Sequence, residues 1–121
     1  VNTDIIEIDN LRLRCQIGFS PHEQDVLQDV IISLRIYTDM KRAGQTDDPD
    51  DAFNYKTVTK AIIQHVEASS YKLVEALADS IARICIEHDA PRVQVRVHKP
   101  GALRFSDSVG VVIERTPDDY A

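Results

Sequence analysis

The chain has 121 residues, 20 acidic and 14 basic, with a formal net charge of −6. That length supports one hydrophobic core and a single domain over residues 1–121, and the acidic balance argues against a general nucleic-acid binder, whose surface is ordinarily basic. With 43% hydrophobic residues, four glycines and five prolines, the composition excludes disordered and fibrous classes, and the lack of Trp leaves a mostly aliphatic core.

Cys15 and Cys85 lie far apart with no CxxC spacing, the pattern of two reduced, buried thiols in a cytoplasmic protein. No apolar run approaches the about 18 residues of a membrane span. The first ten residues lack a basic stretch followed by an apolar one, so no signal peptide is expected.

Residues 4–17 alternate as a strand. Ile6 and Ile8 hold one phase and Leu11, Leu13, Cys15 and Ile17 the other, so a bulge or tight turn is expected at Asp9-Asn10. Arg12, Arg14 and Gln16 form its polar face. Gly18 and Pro21 open a loop over 18–28. A second strand over 29–38 alternates Val30, Ile32, Leu34 and Ile36 with Ile31, Ser33, Arg35 and Tyr37, and pairs antiparallel with the first. Residues 38–54, with Gly44, Pro49 and four aspartates between 47 and 51, read as a loop with a short helical turn near Met40–Ala43. Its acids read as a solvated surface, because the turn glycine and closing glutamate of a calcium loop are missing.

Residues 55–68 place Val58, Ala61, Ile62, His65 and Val66 on one helical stripe. Residues 73–89 repeat the period with Val74, Leu77, Ala78, Ile81, Ile84 and Cys85. Ser69-Ser70 separates the two helices and offers caps. A third strand over 92–98 sets Val93, Val95 and Val97 against Arg92, Gln94, Arg96 and His98, and ends in Lys99-Pro100-Gly101. A fourth strand spans 109–115, and residues 118–121 read as a loose polar tail. The order ββααββ implies an α+β domain: a four-stranded antiparallel sheet with two helices on one face and a polar, arginine-rich face on the other. Its edges are uncovered, so pairing of edges between subunits into a barrel is expected.

Chemistry is sparse. His22, His65, His88 and His98 show neither HxH nor HExxH spacing, so no metal site is expected. Glycine-rich phosphate loops and the GxSxG nucleophile motif are absent. Four residues stand out: Glu23 in the loop between strands, Tyr55 at a helix start, Glu75 in the first turn of the second helix, and Lys99 at a strand end. Each has a plainer reading alone, as a surface carboxylate, a partly buried anchor, a helix-dipole partner and a solubilising lysine.

Together these segments resemble the dihydroneopterin aldolase and dihydroneopterin triphosphate 2'-epimerase family from Ile5 to Arg115. The resemblance rests on Ile17–Gln28, on NYKTVTKAIIQHVE (Asn54–Glu67), on KLVEALAD (Lys72–Asp79) and on HKPGALRFSDSVGVVIER (His98–Arg115). It implies the tunnelling fold, with four subunits joining their sheets into a barrel, two rings stacking into an octamer, and sites between neighbouring subunits. The arginine-bearing face would line the tunnel. By the same resemblance Glu75 is the pterin anchor, and Leu73, Val74, Phe53 and Asn54 line the pterin pocket. Lys99, Tyr55 and Glu23 are the catalytic group. The implied reaction is a retro-aldol cleavage needing neither cofactor, metal nor Schiff base. The KPGA turn and VGVVIER ending look like the aldolase branch, whereas Asn54–Glu67 and ALRFSDSV look like the epimerase branch. Aldolase is the reading taken, with the triphosphate epimerase as its alternative. Arg104 and Arg96 are candidate cations for a triphosphate. A non-catalytic pterin-binding oligomer would keep Glu75 without needing Lys99 and Tyr55. The zinc-dependent synthase type of the same fold needs a histidine triad that this chain lacks.

Overall fold

The computed structural model describes residues 4–121. β1 (Ile5–Ile17) and β2 (Gln28–Tyr37) pair antiparallel. The phase change inside β1 is a true bulge: the register shifts between Ile8 and Leu11, and Asn10 takes φ 56°, a left-handed conformation that asparagine tolerates. Its N–H donates to Ser33 Oγ at 3.1 Å, which ties the extra residue to β2.

After β2 the chain forms α1 (Lys41–Thr46), a longer helical turn than expected, and a 3-10 turn at Pro49–Asp51 capped by the Asp48 side chain. α2 (Tyr55–Glu67) starts where Asn54 Oδ1 accepts the Thr57 N–H at 3.1 Å. β3 (Ser70–Tyr71), α3 (Val74–Glu87), β4 (Arg92–Pro100) and β5 (Ser108–Arg115) follow.

The sheet order is β3-β1-β2-β4-β5, so the expected four-stranded antiparallel sheet is corrected to a five-stranded mixed one. β3 lies parallel to the end of β1, pairing Ser70 with Gln16 and Tyr71 with Ile17, and Gly18 N–H extends the contact to Tyr71 O at 3.0 Å. Two residues are too few to show alternation, and only the tertiary path brings them to β1. The serines serve this join rather than capping α3. Ser69 Oγ turns back onto Val66 O at 2.6 Å, Ser70 Oγ donates to Gln16 Oε1 at 3.2 Å, and the α3 N-cap, Leu73, has no side-chain bond.

Both long helices cover one sheet face. α2 packs on β1 and α3 on β4 and β5. Val58, Ile62, Leu77 and Ile81 are fully buried against Val30, Ile32, Leu34 and Val95. Each such side chain contributes about 1.5–3 kcal/mol by leaving water. Cys15 and Cys85 are free and buried in the same core. His65 and His88 lie beside it as packed histidines, His65 Nε2 bonded to Tyr71 OH at 2.9 Å and His88 Nδ1 to Ile84 O at 2.8 Å.

The tail differs from its expected looseness. Pro117–Tyr120 forms a 3-10 turn with a capping box between Thr116 and Asp119. Tyr120 OH donates to Asp79 Oδ1 at 2.9 Å, and the Arg83 guanidinium sits 5.0 Å from the ring centroid. Burial and the Asp79 carboxylate push the Tyr120 hydroxyl pKa up to about 12. One aromatic anchor outweighs the polar composition of the segment.

Candidate active site

Residues 93, 95 and 97 of β4 are buried valines, and Lys99 is the next residue on that phase. Strand geometry therefore carries Lys99 inward, where it is only 7% exposed and is the one buried charged residue among those described. Such a burial requires a partner. Lys99 Nζ donates to Glu23 Oε2 at 2.6 Å.

Glu23 comes from the loop between β1 and β2, and several donors fix its carboxylate. Ser20 Oγ donates to Oε1 at 3.0 Å, and Gln28 Nε2 donates to Oε2 at 3.1 Å and to Ile17 O at 2.6 Å. Gly18 has φ +126°, and a Cβ there would stand 2.2 Å from Glu23 Cδ. Only glycine lets the carboxylate lie against this backbone. The Lys99 ammonium, helped by Gln28, holds the Glu23 carboxyl pKa down to about 2. The buried Cys15 thiol is close by. Burial raises its pKa, partly offset by a hydrogen bond with Ser69 and by the Lys99 charge.

Glu23 of this pair lines a cavity of about 360 Å³, whose walls include Ile17, Gly18, Phe19, Tyr71 and Lys72. Leu73, Val74 and Glu75 follow directly on this wall as the chain enters α3. Leu73 is half exposed, Val74 is partly buried, and Glu75 is an exposed acid in the first helical turn. Phe53, Asn54 and Tyr55 lie elsewhere, on a pocket of about 240 Å³ shared with Pro49, Ala52 and Lys56. Tyr55 is half exposed there. Of the residues singled out in the sequence, Glu23 and Lys99 are thus brought together, 73–75 follow in sequence from the cavity-lining Lys72, and 53–55 lie on a separate pocket.

Arg96 lies on the opposite phase of β4 from Lys99, so it cannot meet a substrate held at Lys99 of its own chain. Arg104 lies in the exposed β4–β5 loop, its guanidinium 5.1 Å from the Phe105 ring centroid. Sequence reasoning missed Gly18, Ser20 and Gln28 as supports of Glu23. No spacing connects Gln28 to Glu23. The one available signal was the glycine directly after an alternating strand.

A family model for dihydroneopterin aldolase (FolB) matches residues 6–114. The chain belongs to the dihydroneopterin aldolase family. Among its relatives, the dihydroneopterin triphosphate 2'-epimerase of Escherichia coli is 41% identical over 110 residues, covering 90% of this chain and 92% of the epimerase. A folic acid synthesis protein of Dictyostelium discoideum is 38% identical over 97% of this chain, which spans only 18% of that protein's length. The crystal structure of E. coli dihydroneopterin aldolase in complex with neopterin superposes with a TM-score of 0.88 at 31% identity, covering 93% of this chain and 99% of that one. The likeness establishes the α+β fold as that of the aldolase family. Among the described residues, no cluster of three or more His, Cys, Asp or Glu could hold a metal ion.

Proposed function

We propose that this family member is a dihydroneopterin aldolase that also epimerises its substrate at C2'. The observation that carries the reading is the Lys99–Glu23 pair at 2.6 Å, with the Lys99 ammonium buried. Glu75 accepts the paired N–H groups of the 2-aminopyrimidinone edge, the two-point geometry at which a carboxylate is strongest. Leu73, Val74, Phe53 and Asn54 wall the ring.

Lys99, as the neutral amine formed once its ammonium has released a proton, accepts the proton of the 2'-hydroxyl through a bound water. Glu23 and its donors keep the amine in register and compensate its charge. The C1'–C2' bond then breaks. Its electron pair flows through C6 to N5 of the ring imine, and C2' leaves as the carbonyl of glycolaldehyde. Because the imine accepts the electrons, neither a metal nor a Schiff base is required. Tyr55 supplies the proton that C1' takes up, giving 6-hydroxymethyl-7,8-dihydropterin. Re-addition of glycolaldehyde through its other face, before that protonation, gives the 2'-epimer.

The separation of 53–55 from the cavity lined by Glu23 supports a site shared between copies, in which a neighbour supplies Tyr55. Val109 and Val112, 43% and 56% exposed on edge strand β5, support pairing of that edge with β1 of another copy in a closed tetrameric barrel, two of which stack as an octamer. The free buried thiols suit a reducing cytoplasm, and none of the described helices is long and apolar enough to cross a membrane.

One observation favours the triphosphate epimerase as main activity: identity is 41% to the E. coli epimerase but 31% to the E. coli aldolase. Incubation with dihydroneopterin and with its triphosphate, followed by glycolaldehyde detection and 2' stereochemical analysis, separates the two. Glycolaldehyde from the free alcohol supports the aldolase. Inverted triphosphate without cleavage supports the epimerase. Silence in both overturns the enzymatic reading. A single-chain mass in sedimentation overturns the shared site.

A further inference from the structure

We propose that the free face of the sheet, away from Lys99, holds a binding site for inorganic phosphate built on Arg96 and Arg35. The bulge in β1 creates the place. It opens a pocket of about 250 Å³ against β2 and β4, lined by Asp9, Asn10, Ser33, Arg35, Gln94 and Arg96. Ser33 Oγ accepts the Asn10 N–H, which leaves its own hydrogen free to donate into the pocket.

Arg96 is held in an unusual way. Its Nε donates to His98 Nε2 at 2.6 Å, so that ring nitrogen is an acceptor and the imidazole is neutral. His98 Nδ1 then carries the proton and donates to Ser108 Oγ at 2.9 Å. The ring lies over Gly110, where a Cβ would come within 2.6 Å of it, so the glycine makes room for this arrangement. Burial and the Arg96 charge lower the His98 pKa, in keeping with a neutral ring. The guanidinium is thereby positioned by an uncharged partner, and among the described residues no carboxylate neutralises it.

Three other arginines on this face are paired with acids. Arg14 pairs with Asp29 at 3.2 Å, Arg92 with Glu114 at 2.9 Å, and Arg35 more loosely with Glu7 at 3.5 Å. Arg96 and the weakly paired Arg35 are the two guanidinium groups that line the pocket. Planar guanidinium edges match the oxygens of a tetrahedral oxyanion. Asp9 on the same wall sharpens the class: a carboxylate repels an anion unless that anion has a proton to donate. Hydrogenphosphate has one at neutral pH and sulfate has none.

Titration calorimetry of the whole chain with orthophosphate at low ionic strength tests the site. Saturable binding of one ion per chain is expected, with sulfate at least about tenfold weaker and Arg96→Gln losing about tenfold in affinity. Asp9→Asn should erase the preference for phosphate over sulfate. Arg83→Gln, remote from this face, should bind as the parent does. Absence of saturable binding, equal affinity of the parent for phosphate and sulfate, or equal loss in Arg83→Gln would overturn the proposal.

Discussion

The two phases of β4 share one backbone and differ in almost everything else. Val93, Val95, Val97 and Lys99 point under the helices, whereas Arg92, Gln94, Arg96 and His98 point away from them. On the buried phase a single cation, Lys99, is fixed by a carboxylate that is itself locked by Ser20 and Gln28. On the open phase Arg92 is met by the half-exposed Glu114 at 2.9 Å and Arg96 by the His98 ring. Burial holds one lysine in a fixed pair, and exposure leaves the arginines as an electrostatic surface.

The sharpest way to break this contrast is at Lys99. Lys99→Ala should lower turnover by about 10²–10⁴-fold, the usual contribution of a positioned acid or base, with neopterin affinity nearly unchanged by fluorescence titration. Lys99→Arg discriminates further. It keeps the charge that pairs with Glu23 but cannot give up its proton, so it should fold like the parent and remain inactive. An active Lys99→Arg enzyme would remove the proton-transfer role. Glu75→Gln should act on binding instead, raising KM and the neopterin Kd by about 10- to 100-fold through loss of a charge-assisted pair.

Next in size is Gly18→Ala. The added Cβ would meet the Glu23 carboxylate at 2.2–2.4 Å on a backbone with φ +126°. The substitution should cost about 1–3 kcal/mol in stability by denaturant titration and reduce turnover as Glu23 leaves Lys99. A variant with parent stability and parent rate would show that the loop re-routes without consequence for the pair.

The Glu23 carboxyl, lowered from its ordinary 4.5 to about 2, makes the pair pH-dependent in a defined direction. A depressed folded-state pKa contributes stability that is fully present above the unfolded value and is lost as pH falls through the folded one. The stability difference between the parent and Glu23→Gln should therefore be constant above about pH 5 and should shrink between 4.5 and about 2. A difference independent of pH across that range would mean that Glu23 is not ionised against Lys99.

Much of this contrast is legible in the sequence. Alternation assigns the buried and open phases of β1, β2 and β4, and the phase change at Asp9-Asn10 locates the bulge. What alternation also implies, that Lys99 continues the valine phase inward, is easily overlooked, because an isolated lysine after a strand looks solvated. β3 is invisible because two residues have no period, and the docked tail because its composition is polar while its hold depends on Tyr120 meeting Asp79. Glu23, Glu75, Tyr55 and Lys99 stand out in the sequence and take their proposed roles from the family resemblance. Gln28 and Ser20 do not, since their role exists only once the loop folds over Gly18.

The smallest effect tests the open phase. Arg92 Nη2 pairs with Glu114 Oε2 at 2.9 Å, and the Arg92 guanidinium lies 4.3 Å from the Tyr37 ring centroid. Both charged side chains are about 40% exposed, at 41% and 42%, so solvent screens their attraction. Glu114→Gln removes only the ion pair and should change stability by less than about 1 kcal/mol, an effect that shrinks further in high salt. Arg92→Gln removes the ring contact as well, which adds about 0.5–1 kcal/mol that salt does not readily screen. Measuring both variants and their double mutant at low and high salt separates the two contributions. A loss at Glu114→Gln comparable to that at Gly18→Ala would mean that the open face is far less solvated than its exposure indicates, and the division of β4 into a reactive and a merely electrostatic side would fail.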